Sequence, residues 1–417
     1  MRLARKRPWV VVGLGLGLAL ATMAACGSGS SGSSGMPDEN AATGTPIKVG
    51  FFRPDSGVAT LPGVGAGMKA AVSYVNGELG GIDGHPIAVE DCSIDGTPET
   101  TISCANKFVQ DGVVAAFDGF NLSSSAGVDT LVAAKIPLIG QIPFDQTTGS
   151  KAEGRLFFGA PQASFLVGAL QGFKAEGMTS ATLTVQDTPS GHNTVDTELK
   201  PLAAAMGIKA TGLYFSPTNP NFSAVASTIA STSPDVAGLI ASPSESICTQ
   251  LVRNLRSIGY KGAVFVAACT AFIKSDPASA PGATLYSSIW LPGSEKNAPA
   301  EVGQQIALAT KYIDKAGGPA DYYAYGQFAT VVDFAKGLAT AASTDELTGQ
   351  TVLTTLRSLK DFPSFLGPRI TCGIPTTPDC TTQMLLFTVE KDLTLKPVSG
   401  GWITPLPAIL STIPGAS

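Results

Sequence analysis

From Pro46 onward the chain alternates short apolar runs with amphipathic stretches. Runs of four to eight residues suit strands buried on both faces, and 3.6-residue periodicity between them suits covering helices, so the pattern predicts βα units on a parallel sheet. Strands are predicted at residues 47–52, 86–91, 113–118 and 137–140. Between them a helix is expected over residues 62–79, with Val64, Met68, Val72, Val75 and Leu79 near one face. Another follows Thr97-Pro98-Glu99, which reads as an N-cap, a first-position proline and an acid in the first turn, and a third spans residues 124–134. After Gly159-Ala160-Pro161 the pattern restarts: a helix at 165–176, strands at 181–185, 211–215, 236–241 and 263–267, and helices at 221–231 and 246–258. Two doubly wound lobes in series account for this order. Ligands in such sheets lie beyond the C-terminal strand ends, so two facing lobes make a cleft.

The first 26 residues follow a different rule. A basic start (Arg2, Arg5, Lys6, Arg7), an apolar run from Trp9 to Leu20 and the small residues before Cys26 read as an export signal. Met23-Ala24-Ala25-Cys26-Gly27 resembles a bacterial lipobox with Met where Leu is commonest, which implies lipidation of Cys26; the alternative is a plain signal peptide with an incidental cysteine. Residues 27–45, rich in Gly, Ser and Ala, should be a flexible tether, holding the body about 25 Å from the membrane.

The remaining cysteines support that compartment. Cys92, Cys104, Cys248, Cys269, Cys372 and Cys380 fall into three close pairs, 92 with 104, 248 with 269 and 372 with 380, expected to be oxidised in an exported protein. The 417 residues are 44% hydrophobic and 14% charged, which excludes a disordered chain. Without the four N-terminal cations, 23 of the 27 basic residues face 32 acidic ones, so the body is acidic and has no nucleic-acid footprint. Two histidines, His85 and His192, with no Cys at ligand spacing exclude a zinc motif. Gly63-Val64-Gly65-Ala66-Gly67 lacks dinucleotide-loop spacing, and neither a phosphate loop nor a nucleophile elbow is present, so no catalysis and no cofactor are expected.

The order of Ile47-Lys48-Val49, Asp55-Ser56-Gly57, Ala70-Ala71-Val72, Gly80-Gly81-Ile82-Asp83-Gly84 and Ser123-Ser124-Ser125 resembles the Leu/Ile/Val-binding-protein family of type I periplasmic substrate-binding proteins. Asn221-Phe222-Ser223-Ala224, Ser233-Pro234-Asp235-Val236, Leu255-Arg256-Ser257-Ile258-Gly259 and Tyr322-Tyr323-Ala324-Tyr325 extend the likeness over residues 46–400. It implies an α/β fold of two doubly wound parallel-sheet lobes joined by a three-strand hinge. Lobe 1 would be residues 46–161 plus 293–364, and lobe 2 residues 162–292 plus 365–405. It further implies a monomeric extracytoplasmic lipoprotein, anchored to the cell membrane. Such a protein captures a small amino acid, acid, amide or aromatic and delivers it to the permease of an ABC importer; the alternative is a ligand-sensing module without transport.

The resemblance also implies a ligand site. Ser123 and Ser124 follow a strand and open a helix, where they would hold a ligand's carboxylate, or would simply cap the helix. Phe120 and Asn121 share that loop, and Gln141 and Ile142 fall on a second carboxylate-holding turn that lacks its threonine. Ser56, Ser190, His192 and Tyr325 occupy loops or helix starts facing the expected cleft. Cys269, beside Thr270, stands where the family places the acid that pairs with a ligand ammonium. Glu245 is the nearest substitute, or else an ordinary first-turn acid. Without an ammonium partner, leucine, isoleucine and valine should bind weakly, and a ligand with no free α-ammonium should be preferred.

Overall fold

The computed structural model describes residues 40–57, 60–241, 245–340 and 347–413, and pairs in sheets every apolar run read above as a strand. Cys26, the export signal and the tether up to residue 39 lie outside the described residues. The first sheet contains β1 (Ile47–Pro54), β2 (Ile87–Ile94), β3 (Ala115–Phe117), β4 (Leu138–Gly140) and β5 (Arg155–Phe157). Its order is β2-β1-β3-β4-β5, all parallel. The second sheet begins with β6 (Ser180–Gln186), β7 (Lys209–Phe215), β8 (Val236–Leu239), β9 (Ala263–Val266) and β10 (Ala283–Ser287). A small antiparallel ribbon follows, β11 (Phe362–Pro363) with β12 (Arg369–Ile370). The chain then returns to the second sheet as β13 (Leu385–Val389) and β14 (Leu395–Pro397), giving the order β14-β13-β10-β9-β8-β6-β7.

This return adds an antiparallel edge to the expected doubly wound parallel lobe, since β13 runs antiparallel to both β10 and β14. No crossover helix within the second lobe precedes β13, and β13 joins β14 through a tight turn in which Asp392 accepts from Thr394 N–H at 3.1 Å. Antiparallel neighbours need only such a turn, whereas parallel ones need a long crossover.

Helices Ala300–Ala316 and Tyr322–Leu338 pack with Pro62–Gly77 over the first sheet, while Gln162–Ala175 packs on β10 and β13. The glycines that superficially suggested a nucleotide loop explain that crossing. A Cβ at Gly67 would strike the Ala324 carbonyl, and one at Gly63 the Asp321 carboxylate, so two backbones approach where only glycine fits. The chain therefore passes between sheets after β5, after β10 and before β13. Those passes are stitched together: Phe157 N–H donates to Pro378 O and Cys380 N–H to Phe157 O, each at 2.8 Å, and Trp290 N–H donates to Leu366 O at 2.8 Å.

All three local disulfides are formed, Cys92–Cys104, Cys248–Cys269 and Cys372–Cys380, with Cα–Cα separations of 5.6, 6.5 and 4.2 Å. Among the described residues no helix is long and apolar enough to cross a membrane, and no cluster of His, Cys, Asp and Glu could hold a metal ion.

Candidate functional site

Beyond the C-terminal ends of strands from both sheets lies a cavity of about 340 Å³, at the lower end of small-molecule sites. Pro143, Phe144, Asp145 and Gln146 wall it from the loop after β4; Ile240 and Ala241 follow β8, and Phe265 and Tyr286 come from β9 and β10. Phe165 opens the helix that follows the first pass, and Thr194 and Glu198 lie on the helix after β6. A larger groove of about 710 Å³ lies on the outside of the first lobe, between helix Pro62–Gly77 and residues 316–319. First-lobe elements alone wall that groove, and its Arg53 is already tied to Asp55 at 2.5 Å and Asp91 at 2.9 Å. We take the smaller cavity as the candidate site, because there the strand ends of both sheets converge.

The wall supplied by the first lobe is closed on itself. Gly119 and Phe120 both have positive φ, 62° and 58°, and turn the chain sharply after β3. The turn carries the Phe120 ring into edge contact with Phe144, Tyr322 and Tyr323 at 5.2, 6.1 and 5.3 Å. Asp118, fully buried, accepts from the Ser124 hydroxyl and from Asn121 N–H at 3.3 Å. Burial pushes its carboxyl up to about 7, the Ser124 and Asn121 donors pull it down, and Asp145 pushes it up further. The Ser123 hydroxyl donates to Gly96 O at 2.7 Å, and Ser123 N–H donates to the Asn121 amide oxygen at 2.9 Å.

The helix that begins at Ser125 has an occupant. Ser125 N–H donates to Asp145 Oδ2 at 2.7 Å, while Asp145 Oδ1 accepts from Thr147 and Thr148 N–H at 2.9 and 3.3 Å. One side chain thus caps two helices, and donors that sequence alone would offer to an anion are satisfied internally.

The second lobe presents a different wall. Phe165 stacks on Tyr286 with centroids 4.6 Å apart, and Phe265 lies 6.0 Å from Tyr286. Burial pushes the Tyr286 phenol up to about 12. Glu198 has no hydrogen-bond partner among the described residues, and burial alone raises its pKa. Its position follows from local backbone geometry. The helix after β6 is α-helical at Pro189–Asn193 and Lys200–Ala205 but π-helical at Thr194–Leu199, with Lys200 N–H donating to Val195 O. Pro201 offers no N–H and would clash with the Thr197 carbonyl in a regular α-helix; the wider turn relieves that clash and sets the register of Glu198.

A family model described as periplasmic binding protein matches residues 46–392. The chain belongs to the periplasmic binding protein family. Its fold is that of several solved structures. An ABC transporter substrate-binding protein from Aeropyrum pernix superimposes with a TM-score of 0.70 at 15% identity, covering 90% of this chain and all of the other. LivJ of Streptococcus pneumoniae, solved with isoleucine, gives 0.65 at 18% identity, covering 85% of this chain and 100% of the other. LivK, a leucine-binding protein from Thermotoga maritima, gives 0.68 at 12% identity, with 86% and 99% covered. No curated protein matches the sequence.

In this periplasmic binding protein the other residues singled out from sequence divide into three groups. Gln141, Thr270 and Glu245 gather where the two lobes touch. The Gln141 amide donates to the Ser288 hydroxyl at 3.3 Å and accepts from Thr330 at 3.1 Å, and Ser288 in turn meets the Tyr322 hydroxyl at 2.9 Å. Tyr322 N–H donates across the lobes to Thr270 Oγ1 at 3.1 Å, and Thr270 N–H donates to Glu245 Oε1 at 2.8 Å. Glu245 thereby holds the loop that carries Cys269 to its own helix, and its burial raises its pKa. A second group is interior: Ile142 is buried, and Tyr325 is buried with its hydroxyl on Thr310 at 2.6 Å. The third lies outward. His192 stacks on Tyr214 at 3.9 Å and meets Asp187 at 2.9 Å in an exposed pair, and exposed Ser56 donates to Ile94 O at 3.5 Å. The side chain of Ser190 lies outside the described residues. Sequence reasoning missed Phe144, Phe165, Tyr286 and Glu198; for Glu198 the available signal was Pro201 inside a helical stretch.

Proposed function

We propose that the protein is an extracytoplasmic solute-binding lipoprotein that captures a small organic ligand in the interlobe cavity and presents it to an ABC importer. The observation that carries this is the aromatic-walled cavity of about 340 Å³ between the strand ends of two hinged lobes. Capture would work by closure about the three passes: a ligand touching both walls stabilises the closed form, and the permease distinguishes closed from open. Thr270 and Tyr322, hydrogen-bonded across the lobes, belong to that closed form. A thermal-shift screen of small solutes tests the capture, because a ligand that binds only the folded state raises the melting temperature. Ala163 also lines the cavity, two residues before Phe165, and filling the space with Ala163→Trp should abolish the shift. A shift that survives this substitution would place binding elsewhere. Cys26→Ser should release the protein from the membrane fraction, and membrane retention of the correctly cleaved variant would remove the lipid anchor from the proposal.

A further inference from the structure

The cavity has a chemical polarity that narrows its ligand class. Among the described residues its ionisable lining side chains are Asp145, Glu198 and Tyr286, and no lysine, arginine or histidine lines it. A bound carboxylate needs a cation or free N–H donors to replace the water it gives up. The donors at Ser123 and Ser125 are consumed by Asn121 and Asp145. Asp145 is the negative charge at that helix start, so a second carboxylate there would meet repulsion as well as missing donors.

The opposite wall lacks a positive partner. Both oxygens of Asp145 are engaged in capping, whereas Glu198 has no partner among the described residues and keeps a partly buried carboxylate facing the cavity. The same cavity is lined by the rings of Phe144, Phe165, Phe265 and Tyr286. Ring faces are negative, and with a carboxylate they favour an ammonium group attached to an apolar body.

We propose, building on the solute-binding reading above, that the cavity selects organic cations without a carboxylate: amines whose ammonium pairs with Glu198 and whose apolar part lies among the aromatic rings. This reverses the expectation from Cys269, which removes one acid from the ligand site while Glu198 supplies another from a different element. It also makes free amino acids poor ligands, because their carboxylate would find no cation among the cavity-lining side chains.

Isothermal titration of the purified protein with four probes of similar shape tests this: 2-phenylethylamine, 2-phenylethanol, 3-phenylpropionate and phenylalanine. The amine should bind about tenfold or more tightly than the alcohol, and the acid should bind most weakly. Glu198→Gln should cost the amine about tenfold while leaving the alcohol unchanged. Tighter binding of the acid or of phenylalanine than of the amine would overturn the inference and leave the solute-binding proposal standing. Amine binding indifferent to Glu198→Gln would do the same. Failure of all four probes, and of a broad solute mixture, to shift the melting temperature would overturn both.

Discussion

The two walls of the cleft spend their polar groups in opposite ways. On the first lobe, Asp118, Asn121, Ser123, Ser124 and Asp145 form a network in which side-chain oxygens already have partners within the chain. On the second, Glu198 has no hydrogen-bond partner among the described residues and the neighbouring surface is aromatic. A polar residue beyond a strand is therefore no guide to binding until its own partners are counted. Satisfied groups shape the wall, and unsatisfied ones are available to a ligand.

The comparison breaks most visibly through Asp118. Its pKa rises from the ordinary value near 3.9 to about 7, so the stability it contributes is present below pH 4 and is lost as pH rises through about 7. Asp333 and Asp379, raised to about 7 and about 8 by burial, add to the same decline. The protein should be less stable to denaturant at pH 8 than at pH 5, and Asp118→Asn should flatten that difference by a few kcal/mol. An unchanged slope would mean that the first wall is not closed as described. Next in size is Asp145→Ala, which uncaps two helices and should cost about 2 kcal/mol of unfolding free energy. By freeing Ser125 N–H and removing a negative charge, it should also improve 3-phenylpropionate binding. If affinity for the acid stays flat, the internal carboxylate is not what excludes it.

How much of this could be read from the chain depends on the length and burial of each element. Strands such as β1 and β6 were legible because seven or eight residues are rich in apolar and β-branched side chains, as in Ile-Lys-Val-Gly-Phe-Phe and Ala-Thr-Leu-Thr-Val. In contrast, β5 is only Arg155-Leu156-Phe157, and β14 reads Leu-Lys-Pro, too short and mixed for any pattern to stand out. The site was harder. Serines after β3 signalled chemistry by position, but whether their hydrogen bonds turn inward depends on Asp145, twenty residues beyond Ser125. Phe165, Phe265 and Tyr286 look like core in sequence, and the first two are buried; only the convergence of strand ends turns their rings into a wall.

Smaller effects sharpen the contrast. Thr270→Val removes the hydroxyl that accepts from Tyr322 N–H across the lobes, a contact worth about 1 kcal/mol, and should weaken ligand affinity severalfold through the closed state. Titration of the alcohol probe would detect it. The smallest effect expected is that of Glu198→Gln on folding. With no hydrogen-bond partner to lose, denaturation should move by no more than about 0.5 kcal/mol, in contrast to Asp145→Ala. A loss as large as that from Asp145 would mean that Glu198 is part of the scaffold after all.

The π-helical turn at Thr194–Leu199 makes ligand choice a matter of counting residues. Each bond there reaches back five residues instead of four, so the segment carries one residue more than an α-helix of the same hydrogen-bonding pattern. Deleting a single residue within it would remove the wide turn, move the side chains inside the turn around the helix and set the Pro201 ring against the carbonyl four residues before it, while the flanks kept their faces. Glu198 could then leave the cavity without being mutated, while β6 before it and β7 after it kept their places. On the proposed reading, solute choice hangs on the local spacing of one helix, and Val195 and Leu199, buried on the same turn, tie that spacing to the core.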